Sequence, residues 1–224
     1  MENSLPPAVF IAGVLGLDVL NSLARPGHEL IDWWSNGDGF LSWMKQAELL
    51  SDDDIAVVKS NISAKELDQA AANARELREW FRGFVNAHKG KPLKARALTE
   101  LGPIKRLLET DEVYWSLEPA PASASKRASS DVSAASFSLR ARRRWLKPGS
   151  LLAAIAEQIA AFISSADFRY VKACPGQNCI LFFLDQTRRR GRRWCSMAVC
   201  GNRAKQEAHL ARLRKRKPSS KRRS

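Results

Sequence analysis

Four cysteines, the only four among 224 residues, fall between Cys174 and Cys200. They form two pairs, Cys174/Cys179 and Cys195/Cys200, with four residues inside each pair and fifteen between the pairs. A tetrahedral Zn²⁺ site needs two short loops, each bringing two thiolates to about 2.3 Å from the metal. Pro175-Gly176 supplies a tight bend in the first loop. The run Ile180–Asp185 (ILFFLD) predicts a strand, and Arg192–Cys195 returns after a bend at Gly191, so the segment between the pairs reads as a hairpin. Two disulfides are the competing use of the same spacing. No cationic segment precedes the apolar stretch Val9–Leu20, so a secretory signal is not indicated. A reducing cytoplasm is the expectation, and there metal is favoured over disulfides. Four thiolates fill a tetrahedron, so the expected cofactor is one structural Zn²⁺ on Cys174, Cys179, Cys195 and Cys200. His209 reads as a surface residue.

Charge separates the chain into two parts. Residues 168–224 carry 17 basic and 2 acidic side chains, whereas residues 1–167 carry 20 and 21. The net charge of +14 therefore resides in the cysteine-bearing part, which bears on partners rather than on fold. Arg188, Arg189, Arg190, Arg192 and Arg193 flank the predicted hairpin tip at Gly191, with Asp185 the only acid nearby in sequence. Guanidinium groups suit bidentate contacts with phosphate and guanine. Arg203 and Lys205 are placed in the first turn of a helix starting near Asn202, where free N–H groups attract phosphate. Residues 218–224 are expected to be a basic disordered tail. Aromatic interleaving is sparse, which favours duplex DNA over single strands.

The remainder reads as mainly helical. A second helix is predicted over Gly39–Leu50, with Leu41, Met44 and Leu49/Leu50 buried. Ser51 and Asp52–Asp54 mark a helix start. The clearest helix spans Ser63–His88: Ser63 and Glu66 have capping-box spacing, and Leu67, Ala70, Ala74, Leu77, Phe81, Phe84 and Val85 recur at three- and four-residue steps. Shorter helices are predicted at Leu93–Glu100 and Pro103–Glu109. Residues 113–118 and 136–146 are predicted to pair as a β-hairpin around an Ala/Ser/Pro-rich mobile loop at 119–131. A helix opens at Pro148 with Leu151, Leu152, Ile155, Ile159, Phe162 and Ile163 on one side, ending near Asp167. The fold class is thus mainly α (α+β), with a helical domain over 1–167 and a small four-cysteine module over 168–217.

The stretch CPGQNCILFFLDQTRRRGRRWCSMAVCGNRAKQ resembles the CGNR zinc finger, named for the residues standing here as Cys200-Gly201-Asn202-Arg203. Leu15–Leu23 (LGLDVLNSL) and the GFLSWMKQAELL segment resemble the ABATE domain that accompanies this finger. The resemblance implies a bacterial, stress-induced transcription regulator with zinc on the four cysteines. The Ala/Ser/Pro-rich segment at 119–130 and the basic tail depart from the shared pattern.

Together these features predict a DNA-binding transcription regulator, cytoplasmic and nucleoid-associated when bound to DNA. Its helical body is expected to dimerise or to sense a small-molecule effector. An RNA- or ribosome-associated binder using the same basic module is the alternative. No enzyme is expected, because the chain lacks a nucleophile–base pair, a phosphate-cradling Gly loop and an open metal set. Asp18 and Asn21 read as capping or buried hydrogen-bonding residues, and Trp33, Trp34, Trp43 and Trp80 read as core rather than pocket. No membrane span is predicted, since Val9–Leu20 is too short and contains Asp18.

Overall fold

The computed structural model describes residues 5–27, 29–119 and 137–216. Its centre is α4 (Ala64–His88). Ser63 Oγ accepts from the Glu66 N–H while Glu66 accepts from the Ser63 N–H, so two free donors of the first turn are satisfied. The seven predicted apolar positions are all buried. Beneath them lies α6 (Pro148–Ser165), whose Phe162 meets Phe81 edge-on with ring centroids 6.0 Å apart. Helix α1 (Leu15–Asn21) crosses α6 so closely that a Cβ on Gly16 would lie 2.1 Å from the Gln158 carbonyl oxygen. Only glycine allows that approach. Gly90, at φ 78°, ends α4 and donates its N–H to Phe168 O at 2.8 Å.

The second helix, α2 (Gly37–Gln46), stops short of the predicted Leu50. Glu48 adopts the left-handed conformation at φ 58°, and Leu49 N–H reaches back to Met44 O at 2.9 Å. This is a helix-terminating arrangement usually built on glycine, and a glutamate in that place gave no signal in the sequence. Leu50 is buried nonetheless, from a separate segment. Helix α3 (Asp52–Asn61) follows, with a second capping box between Ser51 and Asp54. A 3-10 turn (Ala95–Glu100) and α5 (Gly102–Glu109) complete the helical layer beside α6.

Three two-stranded antiparallel sheets fringe the helices: β1 (Leu23–Ala24) with β2 (Ile31–Asp32), β3 (Val113–Pro119) with β4 (Phe137–Arg143), and β5 (Val171–Ala173) with β6 (Phe182–Leu184). The predicted β3–β4 hairpin is therefore present, in register from Val113↔Arg143 to Pro119↔Phe137. Residues 120–131 of the predicted mobile loop, and the tail over 218–224, lie outside the described residues. Trp33, Trp34 and Trp43 are fully packed core, with Trp34 and Trp43 edge-on at 5.1 Å. Trp80 stacks on Phe81 and Phe84 at the core margin.

The cysteine module shares this core. Phe168 lies 5.1 Å from Phe162 and 6.0 Å from Phe84, and Phe183 is completely buried. Asp18 and Asn21 take the buried hydrogen-bonding roles expected of them. Asp18 Oδ1 accepts from the N–H groups of Ile11 and Ala12 and from Asn21 Nδ2, all at 2.9 Å. Burial raises the Asp18 carboxyl above its ordinary value, against the opposing pull of the Asn21, Ala12 and Ile11 donors. Asn21 in turn exchanges two hydrogen bonds with the Phe182 backbone, and Leu184 N–H donates to Ala12 O at 2.8 Å. The N-terminal segment and α1 thus complete the hydrogen bonding of β6.

Candidate metal centre and basic surface

Cys174 and Cys179 sit in the turn between β5 and β6, so the strand predicted at ILFFLD pairs backwards with Val171–Ala173. The predicted hairpin across Gly191 does not form; residues 185–196 make an irregular loop instead. The physical reason is Asp185. Its carboxylate accepts from Thr187 N–H and Oγ, from Lys172 Nζ at 2.7 Å and from Arg192 N–H at 2.8 Å, folding the loop around itself rather than against a strand. Burial alone would raise the Asp185 carboxyl, but these donors overcome it and hold the group at about 2.

The second cysteine pair is built on a helix start. Ser196 Oγ accepts from Val199 N–H, a π-turn spans Met197–Gly201, and α7 (Asn202–Arg216) continues from it. Asn202 is consequently not the N-cap. It is already helical, and its side chain donates to Ala198 O. Arg203 and Lys205 therefore do not lie beside free N–H groups, because the helix begins upstream at Ser196. His209 is exposed on α7.

The four sulfur atoms all lie within 4.8 Å of one another. Cys179 and Cys195 Sγ are 3.7 Å apart, and Cys195 and Cys200 Sγ 3.5 Å. Four sulfurs at 2.3 Å from a shared tetrahedral zinc would stand roughly 3.8 Å apart, whereas a disulfide requires about 2.05 Å. The donor set and its spacing fit one structural Zn²⁺. Packing reinforces the fit: a Cβ on Gly176 would sit 2.9 Å from Cys200 Sγ, so the first loop closes on the second pair only with glycine there. Cys195 N–H also points at Cys174 Sγ, at 3.4 Å, as expected for a backbone donor to a thiolate.

The electrostatics suit a cation. The hydrogen bond from Cys195 lowers the Cys179 thiol to about 5, so one thiolate forms readily. Donating that bond pushes the Cys195 thiol far up, and burial raises Cys200 to about 11. Four negative charges at this separation are unfavourable unless a divalent ion neutralises them.

The arginines separate into two groups. Arg192 is committed internally: Nη2 donates to Ile11 O at 2.9 Å and to Cys195 O at 2.6 Å, Nε donates to Trp194 O, and the guanidinium lies 4.4 Å from the Phe183 ring centroid. Arg190 is exposed but tethered: it has φ 50°, donates to Asp185 O and stacks over Tyr170 at 4.3 Å. Arg188, Arg189 and Arg193 are exposed and form no ion pair among the described residues. Arg193 lies over Trp194, and Arg189 and Arg193 line a cleft of about 620 Å³ with Thr187, Ser196 and Met197. Arg203 lines a separate polar cleft of about 300 Å³ with Arg25, Gln177, Asn178 and Glu207.

Sequence reasoning missed Lys172, Thr187 and Arg25 here. Nothing in the sequence around Arg25 signals that β1–β2 folds against the first cysteine loop. Among the described residues no helix is long and apolar enough to cross a membrane. The ABATE family model, described as "Putative stress-induced transcription regulator", matches residues 13–166, and the CGNR zinc finger model matches residues 170–213. No curated protein matches the chain.

Proposed function

Since this chain belongs to the ABATE family and carries a CGNR zinc finger, we propose that it regulates transcription by docking its finger on duplex DNA. Cys174, Cys179, Cys195 and Cys200 hold one Zn²⁺, and the ion fixes the loop that displays Arg188, Arg189 and Arg193. The observation that carries this reading is that these three guanidinium groups are exposed, without carboxylate partners among the described residues, on a loop anchored by both zinc ligands and Asp185. Arg192 shapes the loop from within, and Arg190, though exposed, is held against Asp185 O and the Tyr170 ring. Arg203 and Lys205 add positive charge along α7, with Arg25 beside Arg203 across the cleft.

Four thiolates leave no coordination position for water, which supports a structural metal and a non-enzymatic role. The protein acts in the cytoplasm, on the nucleoid. Phosphate contacts release counterions, so the logarithm of affinity falls linearly with log salt, at a slope of roughly −0.9 per contact. Fluorescence anisotropy with a labelled duplex, repeated across salt concentrations, tests this. A slope of about −3 to −5 supports the assignment. Displacement of the duplex by structured RNA at lower concentration than unlabelled DNA would replace it with an RNA-binding role.

A further inference from the structure

We propose that the β3–β4 hairpin is the dimerisation element of this protein, its partner being the same hairpin of a second copy. Side chains alternate across a ribbon, and the register sorts them cleanly. One face carries Tyr114, Ser116 and Glu118 opposite Arg142, Arg140 and Ser138, with Arg142 and Glu118 in a bidentate ion pair at 2.6 Å. The other face carries Trp115, Leu117 and Pro119 opposite Ala141, Leu139 and Phe137. Among the described residues that apolar face is uncovered: Trp115 is 68% exposed, Leu117 74%, Leu139 61% and Phe137 70%.

Isolated two-stranded ribbons are marginal in water, and uncovered apolar faces of this kind mark interaction sites. The residues outside the described part offer little apolar cover. Residues 120–136, 217–224 and 1–4, which lie outside the described part, contain no Leu, Ile, Phe or Trp, and only Val132 and Met1 among larger apolar side chains. Their composition favours another molecule as the cover. Charge gives a foreign partner nothing to select on this face. Arg143, at its base, is already paired with Asp111 at 2.7 Å and Glu157 at 2.7 Å.

Self-complementarity favours a second copy. A two-fold axis running along the ribbon, between two stacked faces, sets each β3 over the partner's β4. Trp115 then covers the small Ala141 of the partner subunit, and Leu117 meets the partner's Leu139. Large meets small, as an isologous interface requires. Each face offers apolar area on the order of 600 Å². Two faces together reach about 1,200 Å², the lower bound of stable interfaces. The polar, Arg140- and Arg142-bearing faces stay outside. This inference does not depend on the DNA-binding role, and its readout is mass.

Sedimentation velocity on the full chain tests it, with Leu117→Glu as the variant and Ser116→Glu, on the opposite face, as control. We expect the wild-type chain and the control to sediment at twice the 25.0 kDa chain mass. Leu117→Glu should self-associate at least about tenfold more weakly, with unchanged helical circular dichroism. Should Leu117→Glu lose its fold, Leu139→Ser reads the same equilibrium with a milder change. A monomeric wild-type chain at about 100 μM, well above the range of functional dimers, or a dimer that ignores both variants, overturns the proposal.

Discussion

Asn21 and Phe182, 161 residues apart, are joined by two buried hydrogen bonds: Asn21 Nδ2 donates to Phe182 O at 3.0 Å and Phe182 N–H donates to Asn21 Oδ1 at 2.9 Å. The side-chain amide takes the place of a neighbouring strand for β6. Helix α1 and the cysteine module are thereby one hydrogen-bonded unit, and Asp18 holds the Asn21 amide in the required orientation.

Replacing Asn21 by alanine leaves the Phe182 N–H and C=O buried without partners. Each such group costs about 1–3 kcal/mol, so Asn21→Ala should lose roughly 2–6 kcal/mol of stability. Urea denaturation monitored by circular dichroism checks this. A midpoint within error of the wild type would show that the pairing contributes nothing.

Arg192 and Arg193, adjacent in the chain, should behave differently. Arg192→Ala removes three hydrogen bonds to carbonyls and the stacking on Phe183, and should cost about 2 kcal/mol, or about 5 °C in melting temperature. Arg193→Ala should leave the melting temperature within about 1 °C and weaken DNA binding. Thermal melts of both single variants separate these outcomes. Equal melting temperatures would contradict the internal role of Arg192.

Asp185 predicts a pH dependence with a definite sign. Its folded-state value of about 2 lies below the ordinary 3.8. The group therefore contributes stability that is fully present above the ordinary carboxylate range and is lost as pH falls from there through about 2. Asp185→Asn should melt lower than wild type at pH 7, by an amount equivalent to about 1–3 kcal/mol, with the gap narrowing as pH drops below 4. A gap that persists undiminished towards pH 2 would contradict the assignment.

Much of this was legible in the sequence, for identifiable reasons. Ser63 and Glu66 announced α4 because a capping box is local, and the apolar repeat from Leu67 to Val85 needed only its own spacing. The cysteine cluster was legible because zinc sets the ligand spacing. The arginine loop was not, because its shape depends on Asp185 meeting Lys172 and on Arg192 reaching Ile11, contacts spanning 13 and 181 residues. Five arginines around Gly191 look alike until the fold commits Arg192 to internal contacts and tethers Arg190 over Tyr170. The end of α2 failed differently: a left-handed Glu48 carries no residue-type signature.

The most direct test of the central claim compares duplex-DNA affinity of the wild-type protein with the Arg188→Ala/Arg189→Ala/Arg193→Ala variant at matched salt, with zinc content measured on both. The account predicts one zinc per chain in each, a salt slope shallower by about 3 in the variant and affinity at least tenfold weaker. A variant that keeps its zinc and binds the duplex with unchanged affinity and slope would contradict it.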